Sequence, residues 1–374
     1  MLLTEVQGKR LFQDVGIPVP PSLIVHDREE IRHISPVFPA VAKAQVASGG
    51  RGKAGGIKRC DSPQELQNAF SAIMKMSFGG AKPSAVLVEP WLEIARELYL
   101  AVTIDGRADG YSVLYSPVGG VDVESGNPLL RHPIGPLRNF RAHLFRQALA
   151  EVEPDSKIRE RIIGLTRRLL QCAHAHDCLT LEINPLILLK NGSLIAGDAK
   201  VVLDDAAEFR HQFTAAAIAE GREKEPEDVR TCAEHGLMLL WLDGATGLIS
   251  SGAGMTMGAM DAIDAAGGRA ACFLDVSGNP TPTGFSLAFD LLDRSPQVRG
   301  ILVSMFGGGL HMDRVARTLI DIMAKRTSTK PVAFRLNGTR SEIAAKLLAE
   351  AGLRNHRTLE DAVEAIVHAT KEPV

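Results

Sequence analysis

Hydrophobic and polar positions along the chain change their rhythm part-way. Residues 4–15 (TEVQGKRLFQDV) carry apolar side chains at helical spacing, and the Gly-Ile-Pro-Val-Pro-Pro that follows ends the helix. Short apolar runs at 22–26 (SLIVH) and 40–46 (AVAKAQV) predict strands, with a helical stretch near 27–34 between them. A strand-like IKRC (57–60) precedes a helix at 62–76, whose proline falls in the first turn, where the missing N–H costs least. Residues 85–91 (AVLVEPW) read as a buried strand, and 97–116 alternate as a hairpin around GRADG. The stretch 119–136 reads mostly as loop. Two helices follow near 141–150 and 155–177. A second hairpin covers 179–200, with Asn191-Gly192 predicted as a tight two-residue turn.

Beyond about residue 235, strand-like and helix-like segments alternate strictly. Four β–α units in series predict a parallel sheet with helices on both faces. The polar stretch 220–236 reads as a linker or an exposed helix. The chain is therefore an α/β protein of at least two domains.

Composition narrows the function more than the fold. With 42 Lys and Arg against 44 Asp and Glu, the net charge of −2 supplies no global attraction to nucleic acid or to an anionic membrane. No apolar run reaches the length of a spanning helix, and the first residues lack the apolar core of a signal peptide. Five scattered cysteines suggest no disulfide framework, so a reducing, cytoplasmic setting is expected.

Candidate chemistry begins at Lys43, inside an apolar strand. A buried ammonium is costly unless it meets an anion. The most glycine-dense segment of the chain, SGGRGKAGG (48–56), follows at once and carries Arg51 and Lys53. Glycines let backbone N–H groups approach a polyphosphate closely, although the spacing is not that of a P-loop. A surface hairpin whose glycines only make turns accounts for this segment equally well. In the second hairpin, with Asn191-Gly192 as the turn, Asn184 and Asp198 lie on opposing strands near the same level and can point to one face, with Glu182 on the same face as Asn184. An acid and an amide oxygen in an otherwise apolar ribbon suit a hard cation such as Mg²⁺ better than a solvated polar face. The strand exit Glu89-Pro90-Trp91, with Glu97 beyond it, could present its backbone to a purine edge, or could simply leave the sheet. Two glycine-containing turns, 250–258 and 305–314, each follow a strand and open a helix, an arrangement that favours anions. Cys172, His176 and Cys178 are best read as neighbours at a helix end, not as zinc ligands. His311 lies in one of these turns without an evident partner.

Taken in order, several segments resemble the β subunits of succinate–CoA ligases. They are E-V-Q-G-K-R-L-F, Q-V-A-S-G-G-R-G-K-A-G-G, E-P-W-L-E-I-A-R-E-L-Y-L, L-E-I-N-P-L, D-A-K, G-A-G-M-T-M-G-A-M-D, F-L-D-V-S-G-N and F-G-G-G. The resemblance runs nearly end to end. It implies an ATP-grasp nucleotide-binding domain over residues 1–235 and a flavodoxin-like CoA-ligase domain over 236–374. It implies nucleotide-phosphate contacts at Lys43, Gly50, Arg51 and Gly52, and positions around base and ribose at Glu89, Leu92 and Glu97. Asn184 and Asp198 would be Mg²⁺ ligands. Ser251, Gly308, Gly309 and Leu310 would lie at the substrate and phosphoryl end. Pro20 stands where ATP-using members tend to have proline. The resemblance further implies an α partner that carries a phosphorylated histidine and most of the CoA site, in an αβ or α2β2 assembly.

Departures from the family pattern cluster on the substrate side. Ser251 replaces a usual asparagine, Gly308-Gly309 lacks the usual following isoleucine, and His311 replaces a basic residue. Ala47-Ser48 stands where a histidine is usual, and the loop after Glu124 is shortened. The smaller side chains imply an altered acid pocket and a dicarboxylate other than, or besides, succinate, of malate or itaconate type. Two other classes remain: a single-chain ligase joining a carboxylate to an amine, and a non-catalytic nucleotide-binding subunit.

Overall fold

The computed structural model describes residues 1–47, 50–120, 128–223 and 225–370. They form two compact units, Met1–Glu220 and Gly221–Val374.

The first unit is built on two sheets. One contains β1 (Leu23–Val25), β2 (Ala40–Gln45), β3 (Ile57–Cys60) and β4 (Ala85–Pro90) in the order β1-β4-β2-β3, all antiparallel. Helix α2 (Pro63–Ile73) packs against it, closing a small core of Ala40, Ala42, Ala44, Phe70 and Ile73. Ser62 caps α2 by accepting from the Glu65 N–H. The other sheet holds β5 (Ile94–Asp105), β6 (Gly110–Ser116), β7 (Leu130–Gly135), β8 (Cys178–Leu189), β9 (Leu194–Ala196) and β10 (Lys200–Leu203). Its order is β10-β8-β5-β6-β7, with β9 also paired to β8. Helices α1 (Glu5–Asp14), α3 (Ala142–Leu149) and α4 (Ser156–His176) bury Leu11, Phe12, Phe145, Leu149, Ile162 and Leu169 in its core. Helix α5 (Gln212–Glu223) follows.

Three expectations for this unit change. The helical stretch near 27–34 is one 3₁₀ turn, Glu30–Arg32. Part of the expected loop at 119–136 is strand β7, whose Pro133 pairs opposite Ser112. Proline hid it from the pattern, and the outer position of β7 is where a sheet tolerates one. The hairpin after β8 closes through Leu189 and Ser193, not through a two-residue Asn-Gly turn: the Leu189 N–H donates to the Ser193 carbonyl, and Asn191 Oδ1 accepts from the Ser193 N–H. Ser48-Gly49 of the glycine-dense segment and residues 121–127 of the expected loop lie outside the described residues, as does the shortened loop after Glu124.

Asp105 ties three strands of this sheet together. It accepts from the Arg107 N–H, from Ser112 Oγ at 2.5 Å on β6 and from Arg131 Nε at 2.8 Å on β7. The Ser112 and Arg131 hydrogen bonds hold its carboxyl down at about 2. Its stabilisation is therefore complete above the ordinary aspartate range and is lost as pH falls from there toward 2. Asp105→Asn is expected to flatten the acid limb of an unfolding-versus-pH curve over that window. An unchanged acid limb would remove this assignment.

The second unit contains α6 (Glu227–Glu234), β11 (Met238–Trp241), β12 (Thr246–Ser250), α7 (Ala253–Ala265), β13 (Cys272–Asp275), α8 (Pro282–Arg294), β14 (Gly300–Gly307), α9 (Met312–Lys325), β15 (Val332–Gly338), α10 (Ser341–Glu350) and α11 (Leu359–Thr370). The sheet order is β11-β13-β12-β14-β15. Strands β12 to β15 are parallel and run 2-1-3-4 among themselves, the flavodoxin-like winding. The strict alternation expected from residue 235 needs one correction. Strand β11 is an antiparallel edge with no helix after it, and β12 (TGLIS) is an additional strand the pattern missed. Helices cover both faces: Ile249, Ile301, Val303 and Phe334 pack under α8 and α9, while Leu248, Leu302 and Ala333 pack under α7 and α11. Among the described residues no helix is long and apolar enough to cross a membrane.

Candidate functional site

A cleft of about 840 Å³ opens in the first unit. Its lining includes Lys43 and Glu89 from the small sheet, the Gly50–Lys53 turn, Glu97 from β5, and Asn184 and Asp198 from the β8–β10 ribbon. The pleat of β2 explains the lysine. Ala40, Ala42 and Ala44 point into the core under α2, so Val41 and Lys43 point to the other face and into the cleft. The ribbon explains the acid and amide. Leu186 lies opposite Ala196 and Lys200 opposite Glu182, so an unbroken register carries Asp198 opposite Asn184 through the gap between β9 and β10.

Beneath the cleft lies an ion network that sequence reading did not anticipate. Glu5 of α1, 1% exposed, sits 2.9 Å from Lys43 Nζ, 2.7 Å from Lys9 Nζ and 3.1 Å from Arg51 Nη1. Glu89 is equally buried, at 2.5 Å from Lys9 Nζ and 2.8 Å from Lys43 Nζ. Both lysines also donate to the Gly197 carbonyl, at 3.0 and 2.6 Å. Arg51 donates through Nη2 to both oxygens of Asp198, at 2.8 and 3.0 Å, and through Nη1 to the Ala44 carbonyl.

Burial alone would raise the Glu5 pKa, but Lys43, Lys9 and Arg51 outweigh it and hold the carboxyl well below the usual range. Burial alone would likewise lower the Lys43 pKa, but Glu5 and Glu89 hold the ammonium charged far into alkali. Each group keeps its charge because its partners are charged.

Of the residues singled out in the sequence, Lys43, Gly50, Arg51, Gly52, Glu89, Leu92, Glu97, Asn184 and Asp198 all line this cleft. Within it, the Glu89 carboxylate turns into the ion network, whereas Trp91 and Leu92 line the wall. Pro20 and Glu182 line the cleft too. Asn184 holds the backbone at Gly120, accepting from its N–H at 2.7 Å and donating to its carbonyl at 3.2 Å. A carboxylate with 27% of its side chain exposed, facing an amide oxygen, is a donor set that a hard, oxygen-seeking cation would take. The missed residues, Glu5 and Lys9, did carry a signal. They stand at i and i+4 on the face that also buries Phe12, so two opposite charges point inward from one helix.

In the second unit, Ser251, Gly308, Gly309 and Leu310 lie in the turns after β12 and β14, neighbouring parallel strands. Ser251 Oγ donates to the Phe306 carbonyl at 3.3 Å, joining the two turns. The Gly252 N–H donates to Asp275 Oδ1 at 2.7 Å, and Thr339 Oγ1 donates to the Gly308 carbonyl at 2.6 Å. Gly338 has φ +120°, and a Cβ there would lie 2.3 Å from the Gly307 carbonyl oxygen. Only glycine lets the end of β15 pack this closely on the end of β14. Each turn leads into a helix at the carboxyl end of a parallel strand, where α/β sheets bind ligands.

Residues 2–188 match the ATP-grasp domain family, and residues 249–368 match the CoA-ligase family. The chain is 34% identical over 374 residues to the succinate–CoA ligase [GDP-forming] β subunit of Thermus thermophilus, covering 98% of each chain. The chain belongs to the succinate–CoA ligase β-subunit family. Another member, the succinate–CoA ligase [ADP-forming] β subunit of Methanocaldococcus jannaschii, is 31% identical over 372 residues, covering 98% of this chain and 99% of its own. The β-subunit fold extends to more distant proteins. The ATP citrate lyase of Methanothrix soehngenii superposes with a TM-score of 0.77 over 98% of this chain and 99% of its own, at 17% identity. For a succinate–CoA ligase β subunit, most of the cleft lining falls within the ATP-grasp match, with Gly197–Lys200 just beyond its end, and the Ser251 and Gly308 turns fall within the CoA-ligase match.

Proposed function

We propose that this chain is the β subunit of an acid–CoA ligase that works with an α partner. It takes ATP in the first-unit cleft and makes an acyl-CoA from a dicarboxylic acid. The observation that carries the reading is the convergence of Lys43, the Arg51 turn and the Asn184–Asp198 ribbon on one cleft, in a unit whose residues 2–188 match the ATP-grasp family. The division of labour proposed is residues 1–235 for nucleotide and 236–374 for the acid and CoA chemistry.

Phosphoryl transfer needs positioning and charge neutralisation above all. Lys43 and Arg51 supply two positive charges at the cleft surface, and the turn at Gly50 and Gly52 lets backbone N–H groups approach the phosphates. Leu92 and Glu97 flank the base and ribose, with the strand exit at Glu89. Asn184 and Asp198 would hold Mg²⁺, which neutralises phosphate charge when bound. The γ-phosphoryl passes from ATP to a histidine nitrogen of the partner, releasing ADP. A carboxylate oxygen of the acid then takes the phosphoryl from that histidine, giving an acyl phosphate. The CoA thiol attacks the acyl carbon, and inorganic phosphate leaves. The N–H groups of Gly308, Gly309 and Leu310, just before α9, would hold the phosphoryl group in the second stage. Pro20 at the cleft wall goes with ATP in preference to GTP.

Ser251 is shorter than the asparagine usual at that place, which supports an acid other than, or besides, succinate. The test is co-expression with the α partner, followed by thioester formation across a panel of dicarboxylates. A malate-type, branched or unsaturated diacid is expected to equal or exceed succinate in kcat/KM. Succinate ahead by a wide margin would defeat the altered pocket. Absence of any thioester with any acid would defeat the ligase.

A further inference from the structure

We propose that Glu5, on a helix outside the phosphate-contacting motifs, is a positioning residue of the nucleotide site. It holds Lys43 and Arg51 in place while the nucleotide's cation draws Asp198 away. This rests on the ATP and Mg²⁺ reading of the cleft given above.

Arg51 has two carboxylate partners. Asp198 is the outer one, and Glu5, at 3.1 Å and buried, is the inner one. If Asp198 turns to a cation, Arg51 loses its stronger partner, and Glu5 remains as its charged partner, beside the Ala44 carbonyl, to keep its guanidinium at the cleft surface. Lys43 is held in the same way: Glu5 at 2.9 Å and Glu89 at 2.8 Å fix an otherwise flexible four-carbon stem.

Glu5 can do this because its helix is fixed on both sides of the cleft. The Val6 N–H donates to Gln45 Oε1 on β2, and the Leu3 N–H donates to the Val201 carbonyl on β10. A Cβ on Gly8 would lie 3.2 Å from both Ala199 Cβ and Val201 Cγ2, so α1 lies tight against the segment that follows Asp198. The carboxylate is therefore a fixed point to which two mobile cations are referred. Its place in the first turn of α1, near the positive end of the helix dipole, favours the same charge.

The test uses the αβ complex with Glu5→Gln, which keeps the shape and removes the charge. Affinity for Mg²⁺ with a non-hydrolysable ATP analogue, measured by calorimetry, is expected to weaken at least about tenfold, as befits misplaced phosphate cations. The KM for ATP in phosphorylation of the partner histidine should rise similarly, with kcat changing much less. The same histidine can also be phosphorylated without nucleotide, from acyl-CoA and inorganic phosphate. There a phosphate oxygen attacks the thioester carbon, the CoA thiol leaves, and the acyl phosphate passes its phosphoryl to histidine and releases the carboxylate. That route should be unchanged in Glu5→Gln. Glu5→Asp, with a shorter carboxylate, should recover part of the affinity. Unchanged nucleotide affinity in Glu5→Gln overturns the proposal, as does an equal loss in both routes, the mark of a purely structural role. Should Glu5→Gln fail to fold, wild-type affinity in Glu5→Asp overturns it. If the wild-type complex phosphorylates no histidine by either route, the proposed function fails, and the affinity comparison alone decides the role of Glu5.

Discussion

Asp198→Ala is expected to abolish phosphorylation of the partner histidine by ATP while leaving the chain folded. Asp198 is the only carboxylate assigned to the metal, and loss of one charge-stabilising group in such a site costs about 100- to 1,000-fold in rate. Folding survives because Arg51 keeps Glu5 at 3.1 Å and the Ala44 carbonyl at 3.0 Å, so its charge is not left without a counterion. Radiolabelled phosphate on the partner, together with a thermal unfolding curve of the complex, checks both halves. Full phosphorylation in the variant would remove Asp198 from the metal site.

Lys43→Met is expected to lose both nucleotide and stability. The substitution leaves two carboxylates, Glu5 and Glu89, buried with one fewer cation between them. Removing one member of a buried ion pair costs about 3–5 kcal/mol, because the remaining charge is stranded. Lys9 and Arg51 keep Glu5 partly compensated, which places the loss toward the lower end. Urea unfolding of the first unit reads this directly, and a change below about 1 kcal/mol would contradict the network. The network also sets pH limits. Glu5 is held below its ordinary range, so its stabilisation is present above that range and lost as pH falls through its folded value. Lys43 is raised, so its share is complete below the ordinary lysine range and lost as pH climbs through its folded value. Lys43→Met should therefore be most costly near neutrality, where the Glu5 carboxylate is ionised and the Lys43 ammonium it loses would be charged.

Sequence alone showed the cleft's lining better than its foundation. A lysine in the AVAKAQV strand, a glycine turn with Arg51, and an acid and amide in an apolar ribbon each break a local pattern, and each breach marks a residue that now lines one cleft. Spacing brought Asn184 and Asp198 only near one level: a two-residue Asn191-Gly192 turn would set Ala199 opposite Asn184, and a slip of one residue changes the face. The three-residue connection between Leu189 and Ser193 is what puts Asp198 opposite Asn184. Glu5 and Lys9 were missed for the opposite reason. Their i,i+4 spacing on the face of Phe12 is a weak signal that a solvated pair also gives, and packing against β2 and β10 is what buries them. Strand β7 was masked by its proline, and β12 by its brevity and its glycine, both cases where tertiary context overrides local propensity. The parallel winding of the second unit was readable because buried strands and amphipathic helices alternate there with little interruption.

In the proposed function, the lysine strand, the arginine turn and the acid–amide ribbon enclose one magnesium triphosphate. A crystal structure of the αβ complex with Mg²⁺ and a non-hydrolysable ATP analogue tests it directly. Phosphate oxygens are expected within hydrogen-bonding reach of Lys43 and Arg51, the metal on Asn184 and Asp198, and the Arg51–Asp198 ion pair broken. A nucleotide bound elsewhere, or one bound here with that pair intact and the metal on other residues, would contradict it.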